Sequence, residues 1–492
     1  MAEKQQTLDA NGKPYNRTMM MVAIILGLFM SVLSSTMLAT AYPTLMDSFD
    51  VSTSTVQWLT TGYMMVNGGV MIPISAWLIS RFGSGALFNT AMFFFLGGSI
   101  LAWTATSFGM LFAARVIQAV GAGIAMPVAQ TVLLSIYPPD RRGGAVMGMM
   151  GLAIGLAPAI GPTLSGWLID NYNWRALFST LIPFTILALV VGLIFNKKVL
   201  ATKKSNLDWI SAAESTLGFG LLLYGFSQVG DNGWGGDPTV IAPILIGVIA
   251  IAIFVYRQLH LENPFLELRV FKTRDFTISA ILSSDVNMAM VGVEMVLPIY
   301  LQTIRGDSAL ESGLTLLPGG ALMIGIASPI TGRLFDKYGG AKHLATAGMI
   351  LLTLGTIPFL FLTKETPLLF IIVTYCIRML GVGMVMMPTS TAGMNALPTN
   401  MISHGTAVNN TARQVASSVG TAILISILTN VTKDDMPAKH VLHNNPLVYK
   451  EGAQNAVLNG YSAAFSIAVL FCLVGWGLSY LLKQKQTVGG DK

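Results

Sequence analysis

The chain has 492 residues, of which 53% are apolar and only 11% charged, against ~25% charged in an average soluble domain. Its net charge of +6 would suit a nucleic-acid partner if the basic residues clustered, but they sit in short loops between apolar runs, the topology signal of a membrane protein. These numbers exclude a soluble domain and imply a polytopic membrane protein. Two cysteines, Cys376 and Cys472, both inside apolar runs, give no disulfide framework.

At the N-terminus, Arg17, an apolar run and Ala39-Thr40-Ala41 resemble a secretory signal. The run 18–42 is long enough to span, however, and is read as an uncleaved first helix. Further runs fall at roughly 55–79, 86–105, 109–136, 143–169, 175–196, 208–229, 239–257, 276–303, 310–333, 343–362, 367–393, 402–430 and 459–482. Fourteen spans put both ends on one side. Placing the ends and even-numbered loops inside assigns 20 of the 29 Lys and Arg residues there, 6 outside and 3 within spans. That bias orients both termini to the cytoplasm.

An internal repeat divides the chain. Pro73–Gly83 reads PISAWLISRFG, and Pro329–Gly339, 256 residues later, reads PITGRLFDKYG. A looser echo pairs Arg115, Gly121, Gly123 and Pro127 with Arg378, Gly381, Gly383 and Pro388. The expected organisation is a cytoplasmic tail (1–17), a six-helix bundle (18–196), a linker carrying two extra transmembrane helices (197–275), a second six-helix bundle (276–482) and a tail (483–492). Repeated bundles about a midplane site are a common transporter architecture.

Within the fifth run, GLAIGLAPAIGPTLSGWLID, glycine or proline recurs at Gly151, Gly155, Pro158, Gly161, Pro162 and Gly166. Such residues are tolerated in a membrane, where small side chains let backbones approach closely. Their order resembles the antiporter signature of the major facilitator superfamily. Gln57 to Tyr63 (QWLTTGY) resembles the start of that family's second span, and Arg115 to Gly121 (RVIQAVG) its fourth-span arginine motif. Leu297 to Gln302 (LPIYLQ), with Gly306 and Leu317-Pro318, resembles its ninth-to-tenth span junction. The chain is thereby identified as similar to the fourteen-span drug:H+ antiporter branch. Three departures stand out: Ser165 replaces the first of two glycines, Ser34 an acidic residue of the first span, and Ser80 a loop aspartate that the second copy keeps as Asp336.

The resemblance implies an all-α major facilitator fold and a proton-coupled exporter of lipophilic, often cationic, small molecules in the cell membrane. A monomer is expected, with protons, substrate and lipid as partners and no nucleic acid, cofactor, metal or enzymatic activity. Gly12-Lys13-Pro14 is no phosphate loop, and His440-x-x-His443 reads as a solvated loop. The same fold would also serve an exporter of a lipid or endogenous metabolite; a non-transporting membrane sensor is the remaining reading.

Six ionisable residues lie within spans: Arg115, Glu214, Asp285, Glu294, Arg378 and Arg413. A charge at that depth costs ~3 kcal/mol or more, so each is a functional candidate; the alternative is that acids and arginines pair and fix helix packing. Because the N-terminal half has no carboxylate in a span, proton coupling is assigned to Glu294 and Asp285, with Arg115. Nine residues apart, those two acids occupy opposite faces of a helix. Asn287, seven residues before Glu294, marks the polar side, and Pro298, whose ring clashes with the carbonyl of Glu294, suggests a kink there. Arg115 either influences proton movement or clamps neighbouring helices. Ser34, Trp58, Tyr63, Asn287 and Glu294 are expected to line the substrate site, where flexible Met side chains (28 in the chain) suit varied apolar shapes. Gating is assigned to Gly155, Pro158, Gly161, Pro162, Gly166, Arg81 and Asp336, with Gly161 packing across the interface between halves.

Overall fold

The computed structural model describes residues 12, 14–38, 41–51, 53–137, 148–200, 202, 208–233, 236–262, 264, 266–338, 340–438 and 446–483. Among them the chain is all-helical apart from turns and loops: α1 Arg17–Met37, α2 Tyr42–Phe49, α3 Thr53–Met64, α4 Ile72–Phe82, α5 Ser84–Trp103, α6 Phe108–Ile136, α7 Gly148–Asn171 and α8 Arg175–Phe195. Then follow α9 Trp209–Asn232, α10 Pro238–His260, α11 Arg274–Tyr300, α12 Ala309–Leu322, α13 Ser328–Tyr338, α14 Lys342–Thr356, α15 Leu368–Asn395, α16 Ile402–Asp434 and α17 Pro446–Ser479.

Polar residues in the short loops start these helices by accepting from otherwise unpaired N–H groups. Asn16 caps α1, Ser107 caps α6 and Asp237 caps α10, while Ser308 and Glu311 form a reciprocal capping box on α12. At Asp208, the cap of α9, burial opposes the charge. Hydrogen bonds from Ser211 and the guanidinium of Arg257 outweigh it and hold the carboxyl below the usual carboxylate range.

Twelve helices among the described residues are long and apolar enough to cross a membrane, two fewer than the fourteen expected. Two others of 24 residues stand at the remaining positions, α7 and α9. In α9, Ser211, Glu214, Ser215, Ser227 and Gln228 dilute the apolar content; α7 includes residues whose side chains lie outside those described.

The repeat is carried in the backbone. A π turn, Met65–Met71, joins α3 to α4, and another, Met323–Ala327, joins α12 to α13. Both end immediately before an 11-residue helix, and α4 and α13 begin and end at the same 256-residue offset seen in the sequence. Close pairs recur as well. A Cβ on Gly121 would lie 2.7 Å from the backbone nitrogen of Phe95 (α6 on α5), and one on Gly381 2.5 Å from that of Leu352 (α15 on α14).

Between these groups lies the α9–α10 hairpin. Its helices are pressed together at Gly247, where a Cβ would meet the nitrogen of Leu222 at 2.8 Å. Most of α10 faces outward, burying only Val240, Gly247, Phe254 and Gln258. The inner helix α9 touches both neighbours: Gly69 in the first π turn lies against the backbone of Gly220, and Val229 packs with Ala422 of α16.

Candidate functional site

In the N-terminal half, Arg115 is fully buried on α6. Its Nη1 donates to Ser34 Oγ (2.9 Å), to the Ser34 carbonyl (3.4 Å) and to Gln118 Oε1 (2.9 Å), and its Nε to the Leu59 carbonyl (3.4 Å). The guanidinium lies 4.2 Å from the centre of the Tyr63 ring, a desolvated cation on a π face. Gln118 in turn donates to Ser99 Oγ at 2.8 Å. Arg115, Ser34 and Tyr63, singled out in the sequence, thus form one cluster joining α1, α3 and α6.

Trp58 stands apart from that cluster. It stacks on Tyr224 of α9 with centroids 5.4 Å apart and meets Phe112 edge-on at 6.4 Å, so it anchors the inserted hairpin to α3.

The C-terminal half repeats the arginine arrangement. Arg378, fully buried on α15, donates from Nη2 to the Ala289 (2.7 Å) and Met290 (3.4 Å) carbonyls of α11. Ser34 and Met290 are again 256 residues apart. Each half therefore ties its arginine to the same backbone position of its first helix. Neither Arg378 nor Arg413 makes an ion pair with Asp285 or Glu294 among the described residues.

Helix α11 sends its polar residues in three directions. Asp285 points at Gly475 of α17 and Met349 of α14, with Oδ2 buried and lacking a hydrogen-bond partner. Asn287 exchanges bonds with α16: its Nδ2 donates to the Arg413 carbonyl (3.0 Å) and its Oδ1 accepts from Arg413 Nη2 (3.4 Å). Glu294 is half-buried, within electrostatic reach of Arg378 and Tyr375 on α15, and makes no hydrogen bond or ion pair among the described residues. The two acids do face apart. The helix continues through Pro298 to Tyr300 and loosens only afterwards, in the π turn Leu301–Arg305, about two turns beyond the kink expected at Glu294.

The gating residues need one correction. A Cβ on Gly161 would collide with the side chain of Thr36, so Gly161 seats α7 on α1 of its own half rather than across the halves. The crossing contact lies half a turn on, where a Cβ on Gly313 of α12 would sit 2.9 Å from the Thr163 nitrogen and one on Gly166 3.6 Å from that of Leu310. Pro158 and Pro162 lie inside α7, as does Gly155, whose surroundings lie outside those described. Arg81 and Asp336 are exposed near the ends of α4 and α13. Ser80, which replaces the aspartate, bonds back to the Trp77 carbonyl at 2.8 Å.

One buried cross-half link escaped the sequence reading: Asn410 Nδ2 of α16 donates to Gln130 Oε1 of α6 at 2.7 Å. The signal was a pair of amides, Asn409-Asn410, inside a membrane run, where interhelical hydrogen bonding is the usual reason for them. Among the described residues no three His, Cys, Asp or Glu side chains converge as a metal site; His440 and His443 lie outside those residues.

Known proteins resemble this chain in sequence and fold. The chain is 45% identical to the uncharacterised MFS-type transporter YcnB of Bacillus subtilis over 96% of its own length and 97% of that protein's. It is 40% identical to the lincomycin resistance protein LmrB of Listeria innocua over 88% of this chain and 91% of that one. Its fold matches the structure of the human organic anion transporter MFSD10 with a TM-score of 0.62, at 15% identity, covering 92% of this chain and 99% of that one. Residues 24–421 match the Major Facilitator Superfamily, and the chain belongs to that family of multi-pass membrane transporters, which are not enzymes.

Proposed function

We propose that this chain is a proton-coupled multidrug efflux antiporter that exports lipophilic, often cationic, small molecules by alternating access. It works as a monomer in the bacterial cytoplasmic membrane, with the bundles 18–196 and 276–482 moving against each other and both termini cytoplasmic. In this reading α7 and α9 also cross, giving the fourteen-span branch: each has 24 residues, and ~36 Å of helix suits a hydrocarbon core of ~30 Å. The resistance proteins among its relatives support a drug-like substrate.

The observation that carries the reading is Glu294, a membrane-embedded carboxyl with no bonded partner among the described residues, close to the Arg378 cation. A carboxyl in apolar surroundings holds its proton and releases it when a positive charge arrives. Exchange of a cationic substrate for a proton needs that behaviour. Arg115, with Ser34 and Tyr63, would hold the opposite wall, and Asn287 would hold the α16 side through Arg413.

Proteoliposomes carrying Glu294→Gln should lose drug-driven proton release by roughly a hundredfold or more, the usual scale for a lost acid–base group, while still binding drug. Asp285→Asn should cost less, because its carboxyl faces α14 and α17. Coupling that persists in both variants and in the double variant would remove the C-terminal half as proton carrier.

A further inference from the structure

At one corner of the C-terminal half, the starts of α11 and α14 meet the chain just past α17, and a cleft of about 410 Å³ opens between them. Arg274, Lys342 and Lys483 line it with His343, and no acidic side chain is among its lining residues. Arg274 opens α11 and Lys342 opens α14, so both cations stand where their spans leave the apolar core. Tyr480 and Leu481, both exposed, form the remaining wall. Cations above an aromatic and an aliphatic side chain, at the edge of a bilayer, match a ligand with an anionic head and an apolar tail.

The pseudo-equivalent corner of the N-terminal half is closed by its own chain. There α1 begins at Arg17, α5 at Ser84, and the segment after α8 folds back over the start of α5. Asn196 Nδ2 donates to Asn89 Oδ1 at 3.0 Å, and a Cβ on Gly85 would lie 3.0 Å from the Lys197 carbonyl oxygen. Arg17 is spent on the ring of Tyr137, 3.4 Å from its centre. The repeat therefore supplies an internal comparison: one corner is filled by protein, and the other is, among the described residues, an open cleft with three cations around it.

We propose that this corner binds the headgroup of an anionic phospholipid. Its phosphodiester sits among Arg274, Lys342 and Lys483, and its glycerol and acyl region lies against Tyr480 and Leu481. Basic pockets between transmembrane helices select such lipids, and each cation near the membrane surface adds about fivefold in affinity. Free phosphate would meet the same charges but gain nothing from the apolar wall, so lipid is the occupant.

The test uses the full chain in phosphatidylcholine vesicles containing a minor share of phosphatidylglycerol, followed by gentle detergent extraction and native mass spectrometry. The unsubstituted protein should carry phosphatidylglycerol well above its share of the vesicle. Neutralising Arg274→Gln, Lys342→Gln and Lys483→Gln together should reduce that enrichment by up to ~100-fold, and each alone by about fivefold. The charge-preserving set Arg274→Lys, Lys342→Arg and Lys483→Arg should retain most of it. The single substitutions decide the matter if the triple variant fails to fold. Equal enrichment in neutralised and unsubstituted proteins would overturn the proposal, and so would displacement of the lipid by equimolar inorganic phosphate.

Discussion

Arg115 and Arg378, each buried and with no ion-paired carboxylate among the described residues, are the least ordinary residues of this protein. A guanidinium offers five N–H donors in a fixed fork, and here backbone carbonyls of the first helix in each half take the place of an anion. Burial of a charge is tolerated only when hydrogen bonds replace its water, so Arg115 depends on Ser34, Gln118 and Leu59 together. A lysine keeps the charge but not the fork. Arg115→Lys should therefore lower the unfolding temperature of the detergent-solubilised protein by a few degrees, the effect of losing roughly 1–2 kcal/mol, and Ser34→Ala by less. An unchanged unfolding temperature in Arg115→Lys would show that the clamp carries no stability. The arginines could be found in the sequence because a charge in an apolar run is conspicuous. Their partners could not, since a carbonyl has no residue type.

At the scale of helices, small residues decide which partner is reached, and their contacts differ by half a turn. Gly161→Leu should wedge α7 from α1 and impair folding of the N-terminal half, seen as reduced yield of monodisperse protein. Gly313→Leu should instead block the sliding contact of α12 on Thr163, leaving yield near normal and abolishing substrate transport in vesicles. Transport at the unsubstituted rate in Gly313→Leu would remove α7–α12 as a moving interface. The sequence motif announced that α7 packs closely, but a glycine says nothing of which neighbour it admits. Another consequence of helix contacts concerns the hairpin, which is held at one end by a charged network. Arg257 bonds to Asp208 at 3.1 Å and Gln258 to Ser211 at 2.6 Å, and the Leu266 nitrogen returns to Gln258 at 2.9 Å. Asp208→Ala removes both the helix cap and that ion pair, an expected cost of about 1–2 kcal/mol. Faster hydrogen exchange across 209–215 should report it, with no change across α14.

For the whole molecule, the bias of Lys and Arg predicts its orientation. Tags at Lys4 and Lys492 should both resist labelling from outside intact cells. A cysteine at Asn232, in a background lacking Cys376 and Cys472, should be labelled from outside if α9 and α10 cross as a hairpin; protection there would leave α9 out of the count. The helical architecture and the 256-residue offset of α4 and α13 were legible because apolar runs and a local sequence echo need no long-range information. Contacts between halves, such as Gln130 with Asn410 across 280 residues, were not, because nothing local in a sequence says which distant helix an amide will face.

The paired π turns bear on the protein's ancestry. A π turn holds one residue more than an α turn needs, and is commonly taken as a mark of local function. Here both π turns end at the same place in the two copies, although the helices that follow have since diverged, one keeping Asp336 and the other holding Ser80. The simplest history puts the insertion in a single ancestral half, before duplication and fusion made the present chain. On that lineage the bulge is an inheritance that predates the Ser80 and Asp336 difference between the halves.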